Sequence, residues 1–220
     1  MVQYNSGMAE QGLRERKKQA TRRMISDVAT GLFVRRGFDA VTVAEIADAA
    51  GVSKMTVFNY FPRKEDLFLD RHDDRLRELE AVVRDRPAGE PVAVAMRRYQ
   101  HELLAARHPL SGAIEGVRGF WSVLESSPAL VSRSIEQEHE IAAMLAGVLA
   151  AETGDEFGAR LVANLLTATL TTIYHTSVAR IIAGDDLAQV QADQVAVIDR
   201  AFDVLEQGIG PGRDRVHSDG

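Results

Sequence analysis

Two helix-start signals stand eleven residues apart in this chain, Thr42 ahead of Val-Ala-Glu45 and Ser53 ahead of Lys54, with Gly51 between them. Thr42 and Glu45 have the spacing of a capping box, in which the hydroxyl takes one free backbone N–H and the carboxylate another. Ser53 caps the second start. Gly51 permits the turn, and Pro62 stops the second helix and admits a further one. Helices this short are unstable alone and must bury a shared face. Ile46, Ala47, Ala50 and Val52 supply it from the first helix and the turn; Val57, Phe58 and Phe61 continue that core from the second. The result is a helix-turn-helix from Thr42 to Phe61.

Helical periodicity extends over nearly the whole chain, with no alternation of period two, so the fold class is all-α. Leu13 to Arg36 places Met24, Ile25, Val28, Leu32 and Phe33 on one stripe. Gly37 suits a left-handed cap, with Phe38 folding back on the last turn. A long helix is predicted from Arg63 to Arg86, followed by helices over Pro91–Arg107, Leu110–Glu125, Ser127–Ala151, Asp155–Ala183 and Asp186–Gln207. Residues 1–12 and 211–220 read as disordered tails, with Met8 an alternative start. Residues 13–62 read as a three-helix head, and 63–210 as a second helical domain.

Residues 1–72 hold 12 Lys and Arg against 9 Asp and Glu, whereas residues 73–220 hold 14 against 23. The basic excess at the front, including Arg14, Arg16, Lys17, Lys18, Arg22 and Arg23, points to an anionic partner or to a solvated face. The chain has no Cys, which removes thiol nucleophiles, disulfides and thiolate metal sites. With neither a signal-peptide core nor a spanning apolar run, a cytoplasmic location without membrane contact is expected.

The outward positions of the second short helix, Lys54, Met55, Thr56, Asn59 and Tyr60, mix charge, hydroxyl, amide and aromatic groups as a DNA groove requires. Thr42, Ile46, Ala47, Ala50-Gly-Val-Ser53, Thr56, Tyr60-Phe61, Lys64-Glu65 and Leu67 together resemble the DNA-binding region of the TetR family of bacterial transcriptional regulators. The resemblance covers roughly residues 13–70. Met55 stands where that family often has Gly, and Phe58 where Tyr is frequent. The resemblance implies DNA contacts from Thr42, Ser53, Lys54, Thr56, Asn59, Tyr60 and Lys64. Met55 adds an apolar surface that suits a thymine methyl. It further implies a homodimeric repressor that binds a double-stranded palindromic operator and is released by a small-molecule effector.

The second half is read less directly. Asn164, Ala168, Thr171, His175, Val178 and Ile182 step by four and three along one predicted helix, bringing polar groups onto an otherwise apolar face. Asn164, Thr171 and His175, with Met96, Tyr99, Phe120, Trp121 and Glu138, are the candidate lining of an effector cavity. Glu138 favours a cationic ligand, but no ligand class follows. On the last helix Val195, Ile198, Phe202 and Leu205 form one stripe; Val190, Gln194, Val197, Ala201 and Val204 form a second, about 100° away. Val190, Val197, Ala201 and Val204 are the candidate dimer contacts. His72 on the seam Leu69, His72, Leu76, Leu79 reads as a core histidine.

An α-helical enzyme and a DNA-binding protein without ligand control are the alternatives. The single Glu136-x-x-His139 motif lacks the second copy that a carboxylate-bridged metal pair needs, and no phosphate-binding Gly loop is present. No catalytic residue, cofactor or metal ligand is therefore assigned.

Overall fold

The computed structural model describes residues 4–207, with side chains from residue 16 onward. Among the described residues the chain forms α1 (Tyr4–Arg36), α2 (Val43–Ala49), α3 (Lys54–Tyr60), α4 (Glu65–Phe68) and α5 (His72–Arg84) in its first part, with no strand. There follow α6 (Val92–Ala105), α7 (Val117–Ser126), α8 (Pro128–Thr153), α9 (Glu156–Ala183) and α10 (Leu187–Gln207). The tail expected over 211–220 lies outside the described residues. The backbone of α1 is helical from Tyr4, across most of the stretch read as an N-terminal tail.

The chain divides into two compact units. One groups the chain up to Asp73 with Gly119–Ile135; the other groups Asp74–Arg118 with the chain from Glu136 on. The boundary expected at residue 62 therefore falls later, and a stretch from the middle of the sequence joins the first unit.

The core of the first unit packs Ile25, Ala29 and Phe33 of α1 with Ile46, Ala47, Val57, Phe61, Leu67 and Phe68. Met24, expected on the α1 stripe, is instead 37% exposed, while Ser26 is buried. The end of α1 follows its sequence. Gly37 adopts φ +82°, and the Phe38 ring returns to lie 4.9 Å from that of Phe33. The capping box forms as spelled, Glu45 N–H donating to Thr42 Oγ1 at 3.2 Å and Thr42 N–H to Glu45 Oε2 at 2.8 Å.

The Thr42 backbone N–H first, then the Arg36 guanidinium and the Thr42 hydroxyl, donate to the Glu45 carboxyl and lower it from 4.5 to about 2. A folded-state pKa below the unfolded one stabilises the fold at higher pH, and the contribution disappears as pH falls from about 4.5 through about 2. Acid titration of stability should show this loss in the native chain, and Glu45→Gln should flatten that window. A variant with the native acid profile would contradict the assignment.

The long helix predicted over Arg63–Arg86 is interrupted after Phe68, and α5 begins only at His72. The cause is tertiary. Arg22 of α1 donates to the Asp70 carbonyl at 2.8 Å, and Ser26 Oγ donates to the Asp70 carboxylate at 2.5 Å. A carbonyl and a side chain held this way by α1 compete with a continuous i→i+4 ladder. Arg22 also pairs with Asp73 at 3.1 Å.

In the second unit α10 packs on both α6 and α9. Its buried face is Val190, Gln194, Ile198 and Phe202, which takes residues from both of the stripes read in the sequence. Gln194 Nε2 donates to the Ile173 carbonyl at 2.8 Å, so a polar residue inside the chain fixes the rotation of α10. The helix predicted from Leu110 begins at Val117 instead, after a short 3-10 turn over Pro109–Ser111. Gly112 sits there at φ +73°, where a Cβ would lie 2.8 Å from both Ser177 Oγ and the Tyr174 carbonyl.

Candidate nucleic-acid interface and second-unit site

Burying Val57 and Phe61 orients α3, and the orientation decides what its other face presents. Val57 is 0% and Phe61 1% exposed, whereas Met55 is 69% and Phe58 40% exposed. Phe58, expected in the core, thus turns outward with Lys54, Met55 and Asn59. Residues 55, 58 and 59 share one side because positions three and four apart on a helix are neighbours. The Lys54 ammonium lies 5.9 Å from the Phe58 ring centroid. The face therefore combines an amide that matches adenine, two apolar side chains that match thymine methyls, and a cation suited to phosphate.

The remaining candidates are more constrained. Thr42 and Ser53 serve as N-caps, and the Thr56 N–H donates to Ser53 Oγ at 3.0 Å. Tyr60 is half-buried against the core of the first unit instead of projecting outward. Arg16, Lys17, Lys18 and Arg23 are exposed on α1, but Arg22 is committed. Besides its bonds to Asp70 and Asp73, its guanidinium lies 4.5 Å from the centroid of Phe61.

Lys64 departs most from the expectation of a phosphate contact. Its Nζ donates to the Phe38 carbonyl at 2.6 Å and lies 4.2 Å from the Phe38 ring centroid. Burial lowers its pKa despite Asp39, Glu65 and Glu45 nearby. A lysine occupied in this way ties the α1–α2 turn to the start of α4 and has little freedom to follow DNA. Lys64→Met should cost about 1–2 kcal/mol of stability by leaving the Phe38 carbonyl unpaired, with the salt slope of DNA binding unchanged. Urea denaturation and a salt titration check both halves; a flattened salt slope would restore the phosphate contact.

The segment from Gly119 to Ile135 completes the first unit. Phe68 and Phe120 stack with centroids 4.5 Å apart, and Arg133 Nε pairs with Asp66 at 2.7 Å, both side chains largely buried. Ser127 Oγ donates to Asp39 at 3.2 Å. Phe120 and Trp121, read as cavity lining, therefore pack against the head's own core. Trp121 Nε1 donates to Glu125 at 2.7 Å.

The second unit brings some of its candidates together and separates others. Tyr99 O–H donates to Glu78 at 2.7 Å, and Thr171 O–H donates to Glu138 at 3.2 Å. Arg75 stands one turn before Glu78 on α5, and Tyr174 one turn after Thr171 on α9. Sequence reading missed Arg75, Glu78 and Tyr174; the signal was their polar side on α5 and α9, which the apolar seams concealed. Met96 is sealed at 0% exposure. Asn164 is exposed and donates to the Arg160 carbonyl of its own helix at 2.8 Å, and His175 is exposed as well. Neither faces the interior of its own unit. A groove of about 460 Å³ lined by Val83, Arg86, Pro87, Gly89, Val148 and Glu152 contains none of the candidates.

The exposed side of α9 has its own order. Leu161, Leu165, Ala168, Thr172, His175, Ala179 and Ile182 follow alternating steps of four and three, and all are exposed. Leu161 is 51%, Leu165 39% and Ile182 41% exposed; on α10, Val195 is 45% and Val204 53% exposed. Val190, expected at a dimer contact, is 0% exposed and belongs to the chain's own core. Val197 and Ala201 are half-buried. Among the described residues, no helix is long and apolar enough to cross a membrane.

The family model for bacterial regulatory proteins of the tetR family matches residues 25–70, from the middle of α1 to the end of α4. The HTH-type transcriptional regulator TcmR of Streptomyces glaucescens is 31% identical over 160 residues, 69% of this chain and 70% of TcmR. This chain belongs to the tetR family. As a tetR-family member it is a DNA-binding transcriptional regulator and not an enzyme. Several further curated regulators match over less than half of their own length. The fold is that of NalD, the secondary repressor of the MexAB-OprM multidrug efflux pump in Pseudomonas aeruginosa, with TM-score 0.54 and 17% identity over 84% of this chain and 96% of NalD. SmeT in complex with triclosan shares it with TM-score 0.51 and 18% identity over 84% of this chain and 91% of SmeT.

Proposed function

We propose that this tetR-family regulator is a cytoplasmic repressor that reads a palindromic operator as a homodimer and is released from it by a small molecule bound in the second unit. The exposed face of α3 carries the reading: Lys54, Met55, Phe58 and Asn59 stand on a helix whose rotation is fixed by buried Val57 and Phe61. Caps at Thr42 and Ser53 and the exposed cations of α1 support a head that approaches backbone phosphates while α3 enters the groove. Regulation by a ligand is suggested by SmeT, which holds triclosan on the same fold. Pairing through the open seam of α9, with Val195 and Val204 beside it, supplies the two-fold axis that a palindrome needs.

Asn59→Ala should weaken binding to the preferred duplex by about 1–3 kcal/mol and relax discrimination at one base pair per half-site. The measurement is a titration of both proteins against a duplex selected from random sequence, alongside all single base-pair changes. Equal affinities and equal discrimination would contradict the reading. A selected duplex that no small molecule ever releases would leave DNA binding in place without ligand control.

A further inference from the structure

Most of the polar groups on α3 are engaged inside the head, and what remains outward is mainly apolar. The Ser53 and Thr56 hydroxyls lie 2.8 Å apart and bond each other, and the Thr56 N–H also donates to Ser53 Oγ at 3.0 Å. Tyr60 packs against the core of the first unit. No Arg stands on α3, and the Nζ of Lys54 lies 5.9 Å from the centroid of the Phe58 ring. Met55 and Phe58, 69% and 40% exposed, thus make up much of the outward face beside Asn59. We propose that Met55 and Phe58 set the sequence preference of this regulator by seating thymine 5-methyl groups, so that affinity for the DNA site depends on the methyls themselves. The inference rests on α3 entering the major groove.

Large apolar side chains held in water cost free energy, and a helix facing DNA recovers it only against an apolar partner. Every base pair presents hydrogen-bonding groups in the major groove, and the apolar projection there is the thymine 5-methyl. Guanine is read most often by the fork of an Arg, which α3 lacks. Asn59 has the paired donor and acceptor that fit adenine N6 and N7. Met55 precedes Phe58 and Asn59 by three and four positions, about 4.5–6 Å along the helix axis. Base pairs stack about 3.4 Å apart. A thymine met by Met55 therefore lies one or two base pairs from the adenine read by Asn59, and one met by Phe58 lies in that pair or its neighbour. The unbranched Met55 side chain can follow a methyl over a range of positions.

The test starts from the duplex that the full chain selects out of random sequence and replaces each thymine in turn by deoxyuridine. This removes the methyl and keeps every hydrogen-bonding group. At one or more thymines within two base pairs of the position that Asn59→Ala relaxes, affinity should fall about three- to fivefold per methyl, as expected for withdrawing one methyl-sized group from apolar contact. Met55→Ala and Phe58→Ala each remove an exposed side chain and should keep the native urea midpoint. Each should bind the thymine and deoxyuridine duplexes equally at the position that its residue reads. Equal affinity of the native chain for thymine and deoxyuridine at every position overturns the proposal. So does a thymine preference that survives in both variants, because it then comes from the shape of the duplex. If Asn59→Ala also leaves discrimination unchanged, the reading of the groove by α3 falls as well. If Asn59→Ala relaxes one base pair while deoxyuridine is tolerated throughout, the groove reading stands and the methyl reading alone is defeated.

Discussion

The double variant Leu165→Arg/Ile182→Arg is expected to be monomeric and to lose about 10²–10⁴-fold in affinity for a two-half-site duplex, because two linked heads bind far more tightly than one. The helical repeat and exposure of the α9 seam support this. Leu161, Leu165 and Ile182 recur at spacings that keep a seam facing a partner helix, and each is at least 39% exposed in the single chain. Apolar surface this continuous is more than soluble monomers usually leave in water. Arginines at such open positions fit the isolated fold without disturbing its core, yet in a two-fold pair through this seam they would be buried against the partner and lose hydration. Sedimentation should show monomers with native helix content. A variant that sediments as a dimer with native DNA affinity would remove α9 from the interface.

Phe61→Ala should destabilise the head by about 3–5 kcal/mol, the usual cost of emptying an aromatic site in a sealed core. Phe61 is 1% exposed, and the Arg22 guanidinium lies 4.5 Å from its ring centroid. Losing the ring removes both the packing that sets α3 against α2 and the surface on which Arg22 rests while it holds Asp70. A loss of this size is a large share of a domain's total stability, so the variant should bind DNA weakly and its urea transition should fall to much lower concentration. Phe58→Ala is the control. At 40% exposure that ring should be removable with little change in stability, so any DNA effect it shows reports on recognition. Similar urea midpoints for the two variants would refute the assignment of inward and outward faces.

The contrast between these neighbouring phenylalanines also shows what the amino-acid sequence can express. The caps of α2 and α3 and the left-handed end of α1 were readable because each is a local matter of three or four residues. Phe58 was not. Over seven residues an aromatic position one step from the buried stripe fits either face, and only packing against α1 and α2 decides. The interruption between α4 and α5 was hidden for a different reason: its cause, Arg22, is 48 residues away from Asp70. Lys64 matched a phosphate-binding pattern, yet the Phe38 carbonyl lies within its reach at 2.6 Å. On α10 two apolar stripes were visible, and the inward turn of Gln194 toward the Ile173 carbonyl sets a rotation that divides both. Phe120 and Trp121 illustrate the limit for domain boundaries, since Phe120, 52 residues beyond Phe68, returns to stack on it.

The most direct test of the central claim is selection of duplexes bound by the full chain from a random-sequence library, followed by sequencing. If α3 reads the major groove in a symmetric pair of heads, the enriched site is an inverted repeat. Its half-site centres should lie one turn apart, about 34–36 Å, or a whole number of turns. Asn59→Ala should select the same spacing with one position per half-site relaxed. No enrichment, or an unpaired asymmetric site that Asn59→Ala selects just as the native chain does, would contradict the account.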